Sequence, residues 1–379
     1  MSTADPQAAL APEPRLLLAA VRLPYDDDAR QVVSELAGQA EWPALLELGR
    51  RHAVLPLCSY NLRQAGLMDC IPADAQAVLT DAYDASLART TNISALLGKL
   101  LTRAQETGLP LLCLKGPLLA EQCYPHPATR PMTDVDLLVQ PHDLARAQAL
   151  LAEAGYRLPP STANPIYVHG AASGDGLWDL QVELHTELLT GALGNRKVAR
   201  LETRYVWERA AQVTLGGCPC WALSPADNLI FLAAHMTVHH GKLQLIWLAD
   251  LAYFLRAHHE QVNWAELVQA ARRYGVWPAV GWPLRLARDL LAAPVPEDAL
   301  AALQIGTGAG VLAQFVDPQA IFGETAQPVG DVAILARAMF LEHFSDRLRY
   351  FAEMARAAGP AAWPSLAWRF VRAAWRLLF

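Results

Sequence analysis

Two aspartates, Asp134 and Asp136, stand two positions apart at the start of an apolar run that ends at Val139. Side chains at i and i+2 of a β-strand leave the same face, about 6.6 Å apart along the chain at ~3.3 Å per residue. Mg²⁺ takes oxygen ligands at roughly 2.0–2.1 Å and usually keeps one or two carboxylates beside the substrate phosphates. Burying two acids side by side is costly unless a cation compensates them. The pair therefore predicts a site for a metal-bound triphosphate.

A second segment, Trp178–His185, supplies a third acid. Its alternation predicts a strand with Asp179, Gln181, Glu183 and His185 on one face. Glu183 can complete a carboxylate triad with the two aspartates, and with two metals ~3.5–4 Å apart it can ligate one ion and take up the acceptor's proton. Asp179 is interpreted as an exposed edge residue.

The elements that must position these acids follow from periodicity and turn residues. We expect a disordered tail over 1–14, a helical region over 15–105, an α/β core with hairpin character at its end over 106–220, and a helical domain over 221–379. In the core the pattern predicts strands Leu111–Leu114, Asp134–Gln140, Ile166–His169 and Leu177–His185, a short helix after Gly116, and a helix His142–Ala154 closed by Gly155. Ser224 is expected to cap a further helix with Pro225 in its first turn.

Composition limits the class of protein. A chain of 379 residues with 53% hydrophobic and 18% charged residues suits two or three globular modules, and no apolar run approaches the ~18 residues of a membrane span. The segment 1–14 lacks the basic region of a secretory signal, so we expect a soluble, cytoplasmic protein whose six cysteines stay reduced. The net charge of −6 argues against a broad nucleic-acid footprint.

These motifs together resemble a known family. The segment Leu112–Tyr156, with its Leu-Lys-Gly, the later Arg, Asp-x-Asp-Leu-Leu-Val and a helix ending in Ala-Gly-Tyr, resembles the uncharacterised nucleotidyltransferase family of the DNA polymerase β superfamily. Val182–His185 is similar to that family's third-carboxylate strand, and Ser224–His235, continuing through Asp250, is similar to its helical tail. The likeness covers roughly residues 40 to 300.

The resemblance implies an α+β fold, in which a polymerase β-like nucleotidyltransferase core of mixed sheet and flanking helices lies between helical N- and C-terminal regions. It also implies Mg²⁺-dependent transfer of a nucleoside monophosphate from a nucleoside triphosphate to an unknown acceptor, with release of pyrophosphate. Asp134 and Asp136 would hold two Mg²⁺ ions, with Mn²⁺ as the alternative, and Glu183 would ligate the catalytic ion and act as base. Many relatives carry Asp at the position of Glu183.

The predicted nucleotide-binding residues surround these acids. The wider superfamily has Gly-Ser where this chain has Lys115-Gly116, so the phosphate grip is expected to differ: Gly116 lets backbone N–H groups approach, and Lys115 supplies a point charge. Arg130 suits a bidentate phosphate contact. His185 and His235 complete the predicted set.

Two features further along the chain carry alternatives. His235, His239 and His240 allow a zinc site, but no Glu follows His235 as in H-E-x-x-H, so we favour a polar cluster beside the active site that Asp250 orients. The segment Trp363–Phe379 predicts a basic amphipathic helix, which either packs on its own domain or docks peripherally on a membrane or partner.

The sequence allows three functions. The first is the nucleotidyltransferase, with a small molecule, peptide or protein favoured over nucleic acid as acceptor. The second is a catalytically inactive nucleotide-binding or scaffold protein that retains the fold. The third is a zinc hydrolase built on the histidine cluster. The fold alone does not identify the acceptor.

Overall fold

The computed structural model describes residues 7, 10–22, 26–158, 166–169, 180–189, 201–240 and 244–303, and beyond these residues 321–322, 341, 345–348, 350 and 352. The helices are α1 (Pro12–Val21), α2 (Asp27–Leu36), α3 (Trp42–Arg51), α4 (Leu55–Gln64), α5 (Ala73–Glu106), α6 (Gly116–Gln122), α7 (Leu144–Glu153), α8 (Thr203–Arg209), α9 (Pro225–Ala234), α10 (Leu245–His258), α11 (Trp264–Arg273), α12 (Trp277–Leu291) and α13 (Glu297–Ala302). The strands are β1 (Leu112–Leu114), β2 (Asp134–Leu138), β3 (Ile166–His169), β4 (Leu180–His185), β5 (Ala211–Leu215) and β6 (Cys218–Ala222).

The chain forms two compact units. The sheet unit is drawn from Leu16–Leu188 and Glu202–Ser224, and contains all the strands and helices α2–α8. The helical unit is drawn from 1–15, 189–201 and 225–379, and contains α9–α13. The predicted helical region over 15–105 and the predicted core over 106–220 thus contribute to the same unit.

The described strands form one mixed sheet in the order β3-β4-β2-β1-β6-β5. Strand β1 runs antiparallel to β2 and parallel to β6, whereas β2 runs parallel to β4, and β3 and β5 form the antiparallel edges. Helices therefore flank a mixed sheet, as an α+β fold requires.

One face of this sheet carries the hydrophobic core. Val135 and Leu137 of β2 are fully buried in a cluster with Leu97 and Leu101 of α5 and Leu151 of α7. Burying each such side chain contributes roughly 1.5–3 kcal/mol. Because neighbouring residues of a strand point to opposite faces, this packing directs the aspartates of β2 to the other face of the sheet.

The long helix α5 delivers the chain to β1. Its apolar positions Ile93, Leu97 and Leu100 recur at helical spacing and are buried, which fixes the face that packs on the sheet. The helix ends where Gly108 adopts a left-handed φ of 61°, and Leu109 N–H donates to the Ala104 carbonyl at 2.8 Å.

The predicted elements are present with shifted bounds. β2 ends at Leu138 rather than Gln140, and a short 3-10 turn at Pro141–Asp143 precedes α7, so the helix predicted from His142 begins at Leu144. Gly155 follows α7 with a φ of 88°, as expected of a helix-terminating glycine. α9 begins at Pro225, directly after Ser224.

Two regions differ from expectation. α1 begins at Pro12, so the end of the segment 1–14 is helical rather than disordered, because proline is well suited to a first helical turn. Strands β5 and β6, joined through Gly216 and Gly217 at positive φ, extend the sheet beyond the strands that periodicity predicted.

The packing of α12 against the end of α13 gives a first prediction. A Cβ at Gly281 would lie 2.5 Å from the Leu303 carbonyl oxygen, so Gly281→Ala should destabilise the chain by roughly 1–3 kcal/mol despite alanine's better helix propensity. Urea denaturation followed by circular dichroism measures the change. In the matched variant Gly98→Ala the new Cβ meets no atom within 4 Å, and we expect a gain of up to about 1 kcal/mol. A Gly281→Ala chain as stable as the parent would show that α13 shifts without cost.

Candidate active site

The pairing of β2 with β4 brings the candidate site together. In this parallel ladder Asp136 lies opposite Glu183, Asp134 opposite Gln181, and Leu138 opposite His185. Neighbouring strands lie about 4.8 Å apart, so paired side chains on one face are in reach of each other. Leu180, Val182 and Leu184 are buried on the core face, and the alternating residues Gln181, Glu183 and His185 project from the other.

Asp136, Glu183 and His185 form a cluster of potential metal ligands. Each offers one ligand atom, and these atoms all lie within 4.8 Å of one another. His185 Nε2 is 2.8 Å from Asp136 Oδ1 and 3.6 Å from Glu183 Oε2. Two carboxylates and an imidazole are common ligands of divalent cations, so the donor set fits a metal site. His185, which the sequence predicted to bind nucleotide, lies directly beside the two carboxylates.

Asp134 is on the same face but outside this cluster. It pairs with Gln181 rather than with an acid, and its Oδ1 accepts a hydrogen bond from Thr133 Oγ1 at 3.1 Å. The register puts Glu183 beside Asp136, so these two acids and His185 share ligand distances, and Asp134 lies one position away on the same face.

Lys115 reaches the cluster from the end of β1. Its Nζ is 3.0 Å from Asp136 Oδ2, and both side chains are largely buried, at 15% and 6% exposure. Its backbone has φ 47° and ψ −119°, a conformation that favours glycine. Such strain in another residue costs roughly 1–3 kcal/mol and is typical of functional sites.

Electrostatics separate the two carboxylates. Burial alone would raise the pKa of Asp136, but the Lys115 charge and the hydrogen bond to His185 outweigh it and hold that pKa well below its usual range. Burial and the adjacent Asp136 charge raise the pKa of Glu183, with Asp134 adding to the increase. Glu183 is therefore the better proton acceptor of the pair.

Arg130 lies over Gly116, at the start of α6. Arg130 is buried, and a Cβ at position 116 would lie 3.2 Å from its Nη1 and 2.9 Å from Met132 Sδ. Gly116 therefore makes room for the guanidinium. Arg130 Nη1 also donates to the Pro131 carbonyl at 3.4 Å, so it is packed into the site rather than exposed on a surface loop.

Sequence reasoning missed how α5 holds the segment that carries Arg130. Arg89 Nε donates to the Met132 carbonyl at 2.7 Å, and its Nη2 donates to the Thr133 carbonyl at 2.9 Å. One helical turn earlier, Ser86 Oγ donates to the Ala128 carbonyl at 2.7 Å. Ser86 and Arg89 are three residues apart, so they share a face of the helix. That face also carries Thr90 and Ile93, which are buried, so the spacing could have indicated that the two polar side chains contact the protein.

The remaining predicted residues belong to the helical unit or lie outside the described residues. His235 belongs to the helical unit, where it begins a π-helix (His235–His240) and is buried between Phe231 and Trp247, with ring centroids 5.6 and 6.2 Å away. Asp250 is buried on α10 of the same unit. Asp179, the side chains of His239 and His240, and the segment 363–379 lie outside the described residues.

The mixed sheet with its acidic cluster defines an α+β nucleotidyltransferase-like core. The chain belongs to the uncharacterised nucleotidyltransferase family, whose family model matches residues 38–292. No curated protein and no solved structure matches the chain. In the part of the chain that the structure describes, every helix is too short or too polar to cross a membrane.

The strained backbone of Lys115 gives a second prediction. Lys115→Gly and Lys115→Ala both remove the ammonium, but only alanine keeps the cost of a positive φ, so the glycine variant should be more stable than the alanine variant by about 1 kcal/mol. Urea denaturation measures the difference. At Lys99, exposed within α5, the order should reverse, because alanine is the better helix former by about 1 kcal/mol. If the glycine and alanine variants rank in the same order of stability at both positions, the backbone of Lys115 is not strained.

The Arg89 contacts give a third prediction. Arg89→Met leaves two carbonyls without their donor and should lower stability by about 1–3 kcal/mol. It should also speed amide hydrogen exchange in residues 130–135. Arg103→Met removes an arginine of the same helix that pairs with exposed Glu106 and Glu153 and should cost within ~0.5 kcal/mol. Unchanged exchange in residues 130–135 would show that the segment holds its position without Arg89.

Proposed function

We propose that this chain is a divalent-cation-dependent nucleotidyltransferase that transfers a nucleoside monophosphate from a nucleoside triphosphate to an acceptor and releases pyrophosphate. The observation that carries this proposal is the cluster of Asp136, Glu183 and His185, within 4.8 Å of one another, on the sheet of a chain that belongs to a nucleotidyltransferase family. Mg²⁺ is the proposed ion and Mn²⁺ the alternative, since carboxylates suit both.

The acids divide the work. Asp136 and Glu183 would hold the cation, with His185 as a third ligand or as the partner that orients Asp136. Asp134 lies on the same face and would contribute to a second ion. When bound, the metal supplies charge stabilisation for the phosphates and for the attacking oxygen or nitrogen.

Basic residues would bind the triphosphate. Lys115 directly precedes Gly116 in the chain, and Arg130 Nη1 lies close to Gly116 in space. Both side chains are largely buried, so their charges act in a medium of low dielectric. Arg130 presents a planar fork that suits two phosphate oxygens, and Lys115 a point charge. We also propose a contribution of His235 to substrate binding, on the resemblance of Ser224–His235 to the family's helical tail.

The proposed reaction exchanges one bond at the α-phosphorus for another. The acceptor's hydroxyl or amine forms a bond to the α-phosphorus, the bond from that phosphorus to the pyrophosphate oxygen breaks, and the acceptor's proton moves to Glu183. Glu183 lies opposite Asp136 on the same face of the sheet, and its carboxylate is the proposed acceptor of that proton.

The proposed acceptor is a class of molecule. The net charge of −6 disfavours a nucleic acid, so a small molecule, peptide or protein is proposed. A cytoplasmic location, with its supply of nucleoside triphosphates and Mg²⁺, is proposed with it. Incubation with α-labelled nucleotides and cell extract identifies the molecule that receives the label.

A binding protein without turnover is the second candidate. It is favoured by two observations: Lys115 stands at the position of the superfamily's Gly-Ser and pairs with Asp136, and Glu183 replaces the more common Asp. Calorimetric titration with ATP and GTP, followed by an assay for pyrophosphate, distinguishes the two, since binding without pyrophosphate release supports the second.

The proposed function predicts the effect of neutralising one metal ligand. Asp136→Asn should lower the rate of pyrophosphate release at least ~100-fold, because it removes a charge that holds the cation in the transition state. Asp81→Asn, an exposed position of α5, makes the same change in charge and should leave the rate unaltered. Equal turnover by Asp136→Asn and the parent chain would refute the proposal.

A further inference from the structure

Both carboxylate oxygens of Asp136 are already engaged. Lys115 Nζ lies 3.0 Å from Oδ2, and His185 Nε2 lies 2.8 Å from Oδ1. A cation that uses Asp136 as a ligand must therefore share or replace one of these contacts. Histidine can itself become a ligand, whereas an ammonium carries a positive charge and has no lone pair. Lys115 is therefore the contact of Asp136 that competes with a cation, because its positive charge repels the ion.

We propose that Lys115 is a built-in counterion that couples metal binding to triphosphate binding, an inference that rests on the proposed function. Without triphosphate, the ammonium neutralises Asp136 and competes with the divalent cation. When a triphosphate enters, its anionic oxygens take over the ammonium, and Asp136 becomes available to the metal. Metal and triphosphate then bind cooperatively, and a free divalent ion alone binds weakly.

The geometry allows the Lys115 ammonium to contact either Asp136 or a bound triphosphate. Lys115 follows β1 directly, and its backbone is fixed next to Leu114, which pairs with Asp136 across the antiparallel ladder. The lysine side chain rotates about four bonds, from Cα–Cβ to Cδ–Cε, so Nζ can leave the carboxylate while the backbone stays in place. Arg130 Nη1 lies on the side of Gly116, the next residue, so a second cation is ready to receive the same phosphates.

Burial makes the competition strong. Asp136 is 6% exposed and Lys115 15%, so water screens their attraction only weakly. Removing the ammonium leaves a buried carboxylate without its counterion, close to the second acid Glu183. Such a pair attracts a divalent cation more strongly than the intact site does, because the cation then supplies the compensating charge that the ammonium provided.

The test measures metal binding without nucleotide. Electron paramagnetic resonance of free Mn²⁺ titrates the parent chain, Lys115→Met and the matched variant Lys99→Met, which removes an equal charge from the exposed face of α5. Lys115→Met should bind Mn²⁺ about 5- to 100-fold more tightly than the parent, the usual range of coupling between two sites. Lys99→Met should match the parent.

Triphosphate binding should change in the opposite direction. The Mn²⁺ complex of inorganic tripolyphosphate, which needs no nucleobase, should bind Lys115→Met about 5- to 100-fold more weakly than the parent, an effect of the size usual for coupled sites. The reason is that the variant lacks the ammonium that the phosphates take over. Lys115→Arg keeps the charge and should restore weak Mn²⁺ binding. Lys115→Gly, which suits the positive φ, is the second variant if Lys115→Met does not fold by circular dichroism.

The outcomes separate this inference from the proposed function. Equal or weaker Mn²⁺ binding by both Lys115→Met and Lys115→Gly, or no Mn²⁺ binding by any variant, overturns the coupling. A gain that persists when Asp136→Asn is added also overturns it, because Lys115 would then act elsewhere. If Mn²⁺ binding tightens as expected but no labelled nucleotide is transferred, the inference stands and the transferase function fails.

Discussion

The parallel pairing of β2 with β4 is the constraint on which the site depends. It places Asp136 opposite Glu183 on two central strands, so two acids share a partly buried surface where their charges repel. Hydrophobic packing of Val135 and Leu137 on the opposite face keeps the strand from turning, because a one-residue slip would exchange the two faces. Packing of the core therefore holds Asp136 and Glu183 close together although their charges repel.

The surrounding residues compensate that cost. Lys115 and His185 each contact one oxygen of Asp136. The backbone of Lys115 has a positive φ, and this conformation lowers local stability. Arg89 fixes the approach to β2 from the helix behind it. The site is therefore held by side chains from three separate segments of the chain, all of them within the sheet unit.

Local patterns predicted the strands, their faces and the acids they carry, because alternation is a property of neighbouring residues. They did not predict the register of β2 with β4, which joins segments more than forty residues apart. For the same reason they did not indicate which of the two aspartates lies opposite Glu183: the register determines that it is Asp136. The ion pair of Lys115 also depends on tertiary packing, which no spacing in the sequence indicates. The spacing of Ser86 and Arg89 predicts a shared helix face but not the carbonyls that they contact.

The most direct measurement is anomalous X-ray diffraction from a crystal grown with Mn²⁺. If Asp136 and Glu183 hold the cation, the anomalous peak will lie within bonding distance of carboxylate oxygens of both residues. A Mn²⁺ ion that avoids both carboxylates, or a crystal at saturating Mn²⁺ with no peak on this face of the sheet, would contradict it.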